Sequence, residues 1–463
     1  MTESTSEYKK RIEEIKQSIE NEPYMAKMRE DIAEGISKTG IRQATVEEQF
    51  QSVLDETTGK DIISAPEIIL ARDGAQTLGE RLDSDKAEVT AQLAQTEQEN
   101  KNYHSEFIKD LNIINPEHLN KWRAKRARML DEDVKAKIAF WGDSITEGYY
   151  ATYPLPLEAK RTKTFVGLLN QYYKNNVGDV GIGYAQTMVA GVTDETSEWS
   201  WDNGFIARQD AYTRTSIRST IIGSVATLPF DGVGIDIVFI KAKFYGLAKI
   251  YIDDNYIKSV NLVTGTTTQV IHTETIDGLS DGNHTLKVEH ETGSFLTIIG
   301  ALPLKGNKGV ITMNFARSGD RTDRLSLEES AFPNNTSVSL GLFDPDVVCI
   351  GYHTNDAGHN TGIGTYIERL SDFVDKALAQ GSEVILIAQS AKRDTVLTSK
   401  TVAYRNAMRS VAIEKGVCMV DWTGRWLYGN EIDKIGDYLY DGDHYNEAGH
   451  QDMFEMLVRA LEM

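Results

Sequence analysis

The period of the apolar residues changes twice along the chain. Up to about residue 130 it is helical. Tyr8, Ile12, Ile15 and Ile19 alternate spacings of four and three, which lines one seam of a helix and suits a coiled-coil partner. Asn21-Glu-Pro23 ends that run. A second helical stretch spans 76–109, with Leu82, Val89, Leu93, Tyr103 and Phe107 on one seam and Lys86, Thr96 and Asn100 interrupting it. So long a charged segment has little apolar surface to bury without a partner, which predicts self-association.

At about Ala136 the pattern becomes Lys-Ile-Ala-Phe-Trp-Gly-Asp-Ser, an apolar run closed by a tight turn of small residues, as a buried strand requires. Helical patterning follows over 164–173. From 193 to 304 the runs are alternating and rich in β-branched residues, among them Gly-Ile-Asp-Ile-Val-Phe-Ile-Lys-Ala, Ala-Lys-Ile-Tyr-Ile-Asp-Asp-Asn and His-Thr-Leu-Lys-Val-Glu-His. The turns Asp253-Asp254-Asn255 and Asp281-Gly282-Asn283 are placed as hairpin connections. An inserted all-β module, a β-sandwich, is expected there. Strands at 310–314, 345–351, 383–387 and 417–421 then alternate with helices at 365–380, 402–415 and after Asn446. That order predicts a three-layer α/β/α architecture around a parallel sheet. Three parts result: a helical attachment and stem region over 1–133, an α/β domain over 134–195 plus 306–463, and the β insert over 196–305.

Composition narrows the function. A chain of 463 residues is long enough for several cores, and 40% hydrophobic with 25% charged residues is a globular balance. A formal net charge of −20 opposes attraction to a phosphate backbone, so nucleic acid is not an expected partner. No apolar run approaches a membrane span, and the polar start carries no secretory signal, so neither membrane insertion nor signal-directed export is expected. Cys349 and Cys418 sit in short apolar runs without a flanking ligand and read as inert core thiols.

Four elements carry candidate chemistry. Ser144, in Gly142-Asp143-Ser144, directly follows an apolar strand, where an open α/β sheet presents its crevice. His444 follows Asp441 by three positions, so a loop can bring the carboxylate to one imidazole nitrogen while the other faces a serine. Asn355, in Gly351-Tyr-His-Thr-Asn355-Asp356, can offer an amide to an oxyanion. Gly319, in Ala316-Arg-Ser-Gly319-Asp320, can offer a backbone N–H where a side chain would obstruct approach. Asp143 and His353 are further candidates for lining the substrate cleft, while Asp443 reads as a solvated turn residue and His450 as a packing residue at a helix start. Trp199, Trp201, Tyr212 and Tyr245 read as core aromatics with a possible sugar-stacking role.

In this order, each at a strand end, the four elements resemble the SGNH hydrolases, also called GDSL esterases and lipases. The resemblance covers 134–195 and 306–463. It implies a flavodoxin-like α/β fold, Ser144 as nucleophile, His444 as its base and Asp441 as the orienting carboxylate. It also implies an oxyanion hole of the Ser144 N–H, the Gly319 N–H and the Asn355 amide, with no metal or cofactor. The family's third motif reads Gly-x-Asn-Asp, whereas here His353 stands two before Asn355 and Gly351 lies further back.

The segments Thr39-Gly-Ile-Arg-Gln-Ala-Thr-Val-Glu-Glu-Gln-Phe, Ala65-Pro-Glu-Ile-Ile-Leu-Ala-Arg-Asp-Gly and Thr77-Leu-Gly-Glu-Arg-Leu-Asp are similar to attachment regions of tail and baseplate proteins from phages of Gram-positive bacteria. That resemblance implies a virion location, contacts with other tail or baseplate proteins, and a homo-oligomer, a trimer above all. Together they point to a tail-associated carbohydrate esterase that removes acyl groups, acetyl first, from a bacterial surface glycan or teichoic acid. The competing expectation is a receptor-binding adhesin with little turnover.

Overall fold

A computed structural model describes residues 112–149, 161–187, 198–208, 216–324, 340–389, 399–428 and 432–463, with Ala87, Thr90, Ala91 and Gln95 as exposed helical positions of a separate N-terminal unit, Met1–Glu99. The expected attachment region and most of the expected stem lie outside the described residues, as does Tyr212.

In chain order the second unit begins with β1 (Ile113–Ile114), α1 (Asn120–Arg128), β2 (Lys135–Gly142), the one-turn α2 (Ser144–Glu147) and α3 (Phe165–Asn176). A β-rich stretch follows: β3 (Ala185–Gln186), β4 (Ser200–Trp201), β5 (Phe205–Arg208), β6 (Ser216–Ser219), β7 (Val225–Gly232), β8 (Gly234–Lys241), β9 (Leu247–Ile252), β10 (Asn255–Asn261), β11 (Val270–Ile276), β12 (Gly282–His290) and β13 (Leu296–Leu304). The α/β pattern then resumes with β14 (Gly309–Asn314), β15 (Val347–Gly351), α4 (Thr354–Gly358), α5 (Ile363–Ala379), β16 (Glu383–Ala388), α6 (Ser399–Lys415), β17 (Cys418–Asp421), α7 (Trp422–Tyr428) and α8 (Glu447–Glu462).

The central sheet runs β1-β17-β16-β15-β2-β14. All its pairs are parallel except β1, which runs antiparallel to β17 through Ile113↔Val420 and Ile114↔Met419, so the sheet is mixed rather than purely parallel. That edge strand and α1 precede residue 134, where the change of pattern puts the start of the α/β domain. Two residues are too short to show a strand period; pairing with a distant strand makes them one.

Each inner strand is buried on both faces, and its two parities feed different helices. Ile138 and Phe140 pack with Cys349, Ile385 and Val420 against Trp122 of α1, Phe165 and Leu169 of α3 and Met453 of α8. Ala139 and Trp141 pack with Val348, Ile350 and Leu386 against Leu370 and Phe373 of α5 and Met408 of α6. Thr164 caps α3 by accepting the Gly167 N–H at 3.1 Å, and Asn446 caps α8 by accepting the Gly449 N–H at 3.1 Å. Both cysteines lie wholly inside, and burial pushes the Cys418 thiol up to about 12.

The β-rich stretch forms two antiparallel sheets, β10-β9-β12-β7-β4 and β11-β8-β13-β6-β5, with β3 pairing against β13. Apolar residues of both, such as Leu228, Phe239, Ile250 and Leu286, share one core with Trp141 and Phe315 of the α/β layers. Asp253-Asp254 joins β9 to β10 as a two-residue hairpin, with φ of 51° and 61° at the two aspartates. Asp281-Gly282-Asn283 is not a hairpin: β11 pairs with β8 while β12 pairs with β7 and β9, so this turn passes the chain from one sheet to the other. A turn signal marks a reversal and leaves open which sheet receives the chain.

Candidate active site

Parallel strands of one sheet end at one edge, and the register puts Gly142 of β2 opposite Gly351 of β15. β2 also separates β14 from β15, so the chain after β2 emerges where the strand order reverses, the position at which such sheets bind ligands. Gly142 is required there because a Cβ would run into the Thr146 side chain of the following turn.

Asp143 caps α2, its Oδ1 accepting the Ile145 N–H at 2.9 Å, which leaves Ser144 at the helix's first position with Oγ 2.8 Å from His444 Nε2. The opposite ring nitrogen, Nδ1, is 2.9 Å from Asp441 Oδ2, and Asp441 Oδ1 accepts the N–H groups of Asp443 and His444 at 2.7 Å each. Burial pulls the Asp441 carboxyl up, but these donors together outweigh it and hold the group below its ordinary value. A carboxylate at Nδ1 selects the tautomer protonated there, so the Nε2 lone pair faces the serine. Tyr149 packs edge-on against the same ring, centroids 5.3 Å apart. Such an arrangement can move a proton from a hydroxyl to an imidazole and stabilise the cation that forms.

Gly319 adopts φ 79° with open space where a Cβ would stand. Its loop is fixed on both sides: Arg317 N–H donates to Gly142 O at 3.0 Å, and Ser318 N–H donates to Glu147 Oε2 at 2.7 Å. Asn355, in the first turn of α4, donates Nδ2 to Asp320 O at 2.9 Å. Behind it Asp356 accepts the Thr322 N–H at 3.0 Å and the Thr322 hydroxyl at 2.6 Å. The Gly319 and Asn355 loops are thus bound to each other as well as to α2.

Two residues expected at the cleft are elsewhere. Asp143 and His353 are completely buried. Burial, with Asp356 and Asp320 nearby, pushes the Asp143 carboxyl up to about 7 against the pull of the Ile145 N–H and Thr354. Burial, then the positive charge of Arg405, pushes His353 down to about 3, leaving it a neutral packing residue at the start of α4. Trp199 and Tyr245 are also buried, at 2% and 5% exposure, and Trp201 is half-buried. His450 packs inside with Nδ1 accepting the Phe165 N–H at 3.3 Å.

Gln389, just past β16, has no counterpart among the expected residues. Its Nε2 donates to Asp143 Oδ1 and Gly351 O, both at 2.7 Å, and its Oε1 accepts the Thr146 hydroxyl at 2.7 Å. It ties three strand ends together beneath Ser144. A polar residue directly after the apolar run Glu383–Ala388 was the available signal.

Residues 288–451 match the model of the GDSL-like lipase/acylhydrolase family. The matched segment holds Gly319, Asn355, Asp441 and His444, and Ser144 lies before it, on the far side of the β-rich stretch. Among solved structures, that of a peptidoglycan O-acetylesterase superposes with a TM-score of 0.56 at 15% identity, over 74% of this chain and 94% of that one. A Bacillus subtilis protein matches with a TM-score of 0.32 and 13% identity, covering 59% of this chain and 96% of that one. A family two carbohydrate esterase from Clostridium thermocellum follows at 0.26 and 12%, covering 57% and 97%. At these identities the peptidoglycan O-acetylesterase likeness establishes a shared fold, the α/β fold of SGNH hydrolases. No curated protein sequence matches the chain.

Proposed function

We propose that this chain, a serine ester hydrolase carrying a GDSL-like acylhydrolase domain, removes acyl groups, acetyl above all, from a bacterial cell-wall glycan or teichoic acid. The observation that carries the mechanism is the unbroken chain of contacts from Ser144 Oγ through His444 to Asp441. In this reading Ser144 attacks the acyl carbonyl while His444 takes its proton, and His444 then returns that proton to the departing sugar oxygen. Water, activated by the same imidazole, discharges the acyl-enzyme. The N–H groups of Ser144 and Gly319 and the Asn355 amide receive the oxyanion.

Support for a glycan substrate comes from the O-acetylesterase whose fold this chain shares, and from the two antiparallel sheets, which we read as a β-sandwich module that contacts the polymer. The N-terminal resemblance supports a role on a phage tail or baseplate, in a homo-oligomer held by the stem.

The test is release of acetate from purified O-acetylated wall polymers of Gram-positive bacteria. Intact protein is expected to release it and Ser144→Ala to release none. Equal hydrolysis of p-nitrophenyl acetate by Ser144→Ala and the parent overturns the nucleophile; loss of that activity with no acetate from any wall polymer overturns the substrate.

A further inference from the structure

Gly319 is the third residue of a four-residue turn, 317–320, closed by the Asp320 N–H donating to Arg317 O at 3.2 Å. Its φ of 79° is what a type II turn requires at that position, and the central peptide of such a turn lies turned over relative to a type I turn. The direction of the Gly319 N–H is therefore set by the conformation of the turn, not by a side chain of its own.

Two consecutive N–H groups pin this turn from behind. Arg317 N–H donates to Gly142 O at the end of β2 at 3.0 Å, and Ser318 N–H donates to Glu147 Oε2 at 2.7 Å. The next N–H, that of Gly319, has no acceptor among the described residues. Glu147 is completely buried and is the last residue of α2, the one-turn helix that begins at Ser144. The far end of the turn holds the other donor, because Asp320 O accepts the Asn355 amide at 2.9 Å. One buried side chain thus ties the helix of the nucleophile to the turn on which both remaining oxyanion donors hang.

We propose that Glu147 is a positioning residue, whose carboxyl oxygen sets the 317–320 turn so that the Gly319 N–H and the Asn355 amide stay in reach of the carbonyl that Ser144 attacks. The inference rests on the oxyanion roles given above to Gly319 and Asn355, and adds the group that fixes their distance from the nucleophile. Glu147 touches no reacting atom; it acts through Ser318. A glutamate that served only to stabilise the fold would leave kcat intact in every variant that folds.

Steady-state hydrolysis of p-nitrophenyl acetate by the full-length protein tests this, with circular dichroism to establish folding. Glu147→Ala, and Glu147→Asp, which keeps the carboxyl group but draws it back by one carbon, are each expected to lower kcat about 10- to 10²-fold with KM changed less than about threefold, since a displacement near 1 Å is felt in the transition state. Glu147→Gln, which can still accept from Ser318, recovers most of that loss. Glu147→Ala combined with Asn355→Ala costs less than the product of the two separate losses, because both act on one hole. Should Glu147→Ala not fold, Glu147→Asp decides. Parental kcat in either folded variant, or losses that multiply in full, overturns the positioning role. Ser144→Ala measured alongside separates this failure from that of the mechanism: an inactive Ser144→Ala with parental Glu147→Ala refutes the positioning alone, whereas an active Ser144→Ala refutes the mechanism on which it rests.

Discussion

The side-chain amide of Asn355 donates to the main-chain oxygen of Asp320 at 2.9 Å, which locks the third motif to the loop that carries Gly319. An amide has a second hydrogen, and in the proposed mechanism that one meets the oxyanion. Asn355→Ala is expected to lower kcat for p-nitrophenyl acetate by roughly 10²- to 10³-fold with a smaller change in KM, since the lost bond strengthens only as charge develops. A fall of less than tenfold removes Asn355 from the hole.

Asp441→Asn probes the tautomer. The amide Nδ2–H would face His444 Nδ1 and drive the proton to Nε2, so the imidazole no longer accepts from Ser144. We expect kcat to fall by roughly 10²- to 10⁴-fold with the fold retained. In the parent, the lowered Asp441 value means that the pair's contribution is complete above the unfolded carboxylate value of 3.8 and is lost only as pH falls below it. Steady-state kinetics alongside circular dichroism checks the claim, and near-parental kcat defeats it.

Asp143 supplies the opposite sign. Its carboxyl is raised from 3.8 to about 7, so the folded chain holds a proton that the unfolded chain has released. Its contribution is full below pH 3.8, declines as pH rises towards 7 and is flat beyond. Asp143→Asn keeps an acceptor for Ile145 and Gln389 and removes the titration. The variant is expected to gain on the parent with rising pH, by up to about 4 kcal/mol at pH 8. Urea midpoints from pH 4 to 8 measure this; a difference independent of pH refutes it.

Gln389→Leu leaves Asp143, Gly351 and Thr146 without their common partner. A destabilisation of about 2–4 kcal/mol is expected, with kcat reduced because α2 loses its support. A urea midpoint equal to the parent's would show that the network contributes nothing.

What was legible in the sequence was the position of each reacting group relative to a strand. Parallel strands end at a common edge, so Ser144 after β2, Asn355 after β15 and Gly319 after β14 could be placed together before any packing was known. The Asp441–His444 pair was legible for another reason: three residues of loop suffice to bring a carboxylate to its ring.

Side-chain direction was not legible. Asp143 adjoins Ser144 and His353 lies two from Asn355, yet both turn inward, Asp143 to cap α2 through the Ile145 N–H and His353 into the packing at the start of α4. Gln389 and Glu147 look like any polar residues until β16 and α2 bring them against Gly351 and Ser318. Ile113–Ile114 became a strand only by finding Val420 and Met419. Local sequence determined which chemistry the chain carries and at which strand ends; tertiary packing decided which polar groups meet solvent and which serve as hidden supports, because burial is a property of all the neighbours at once.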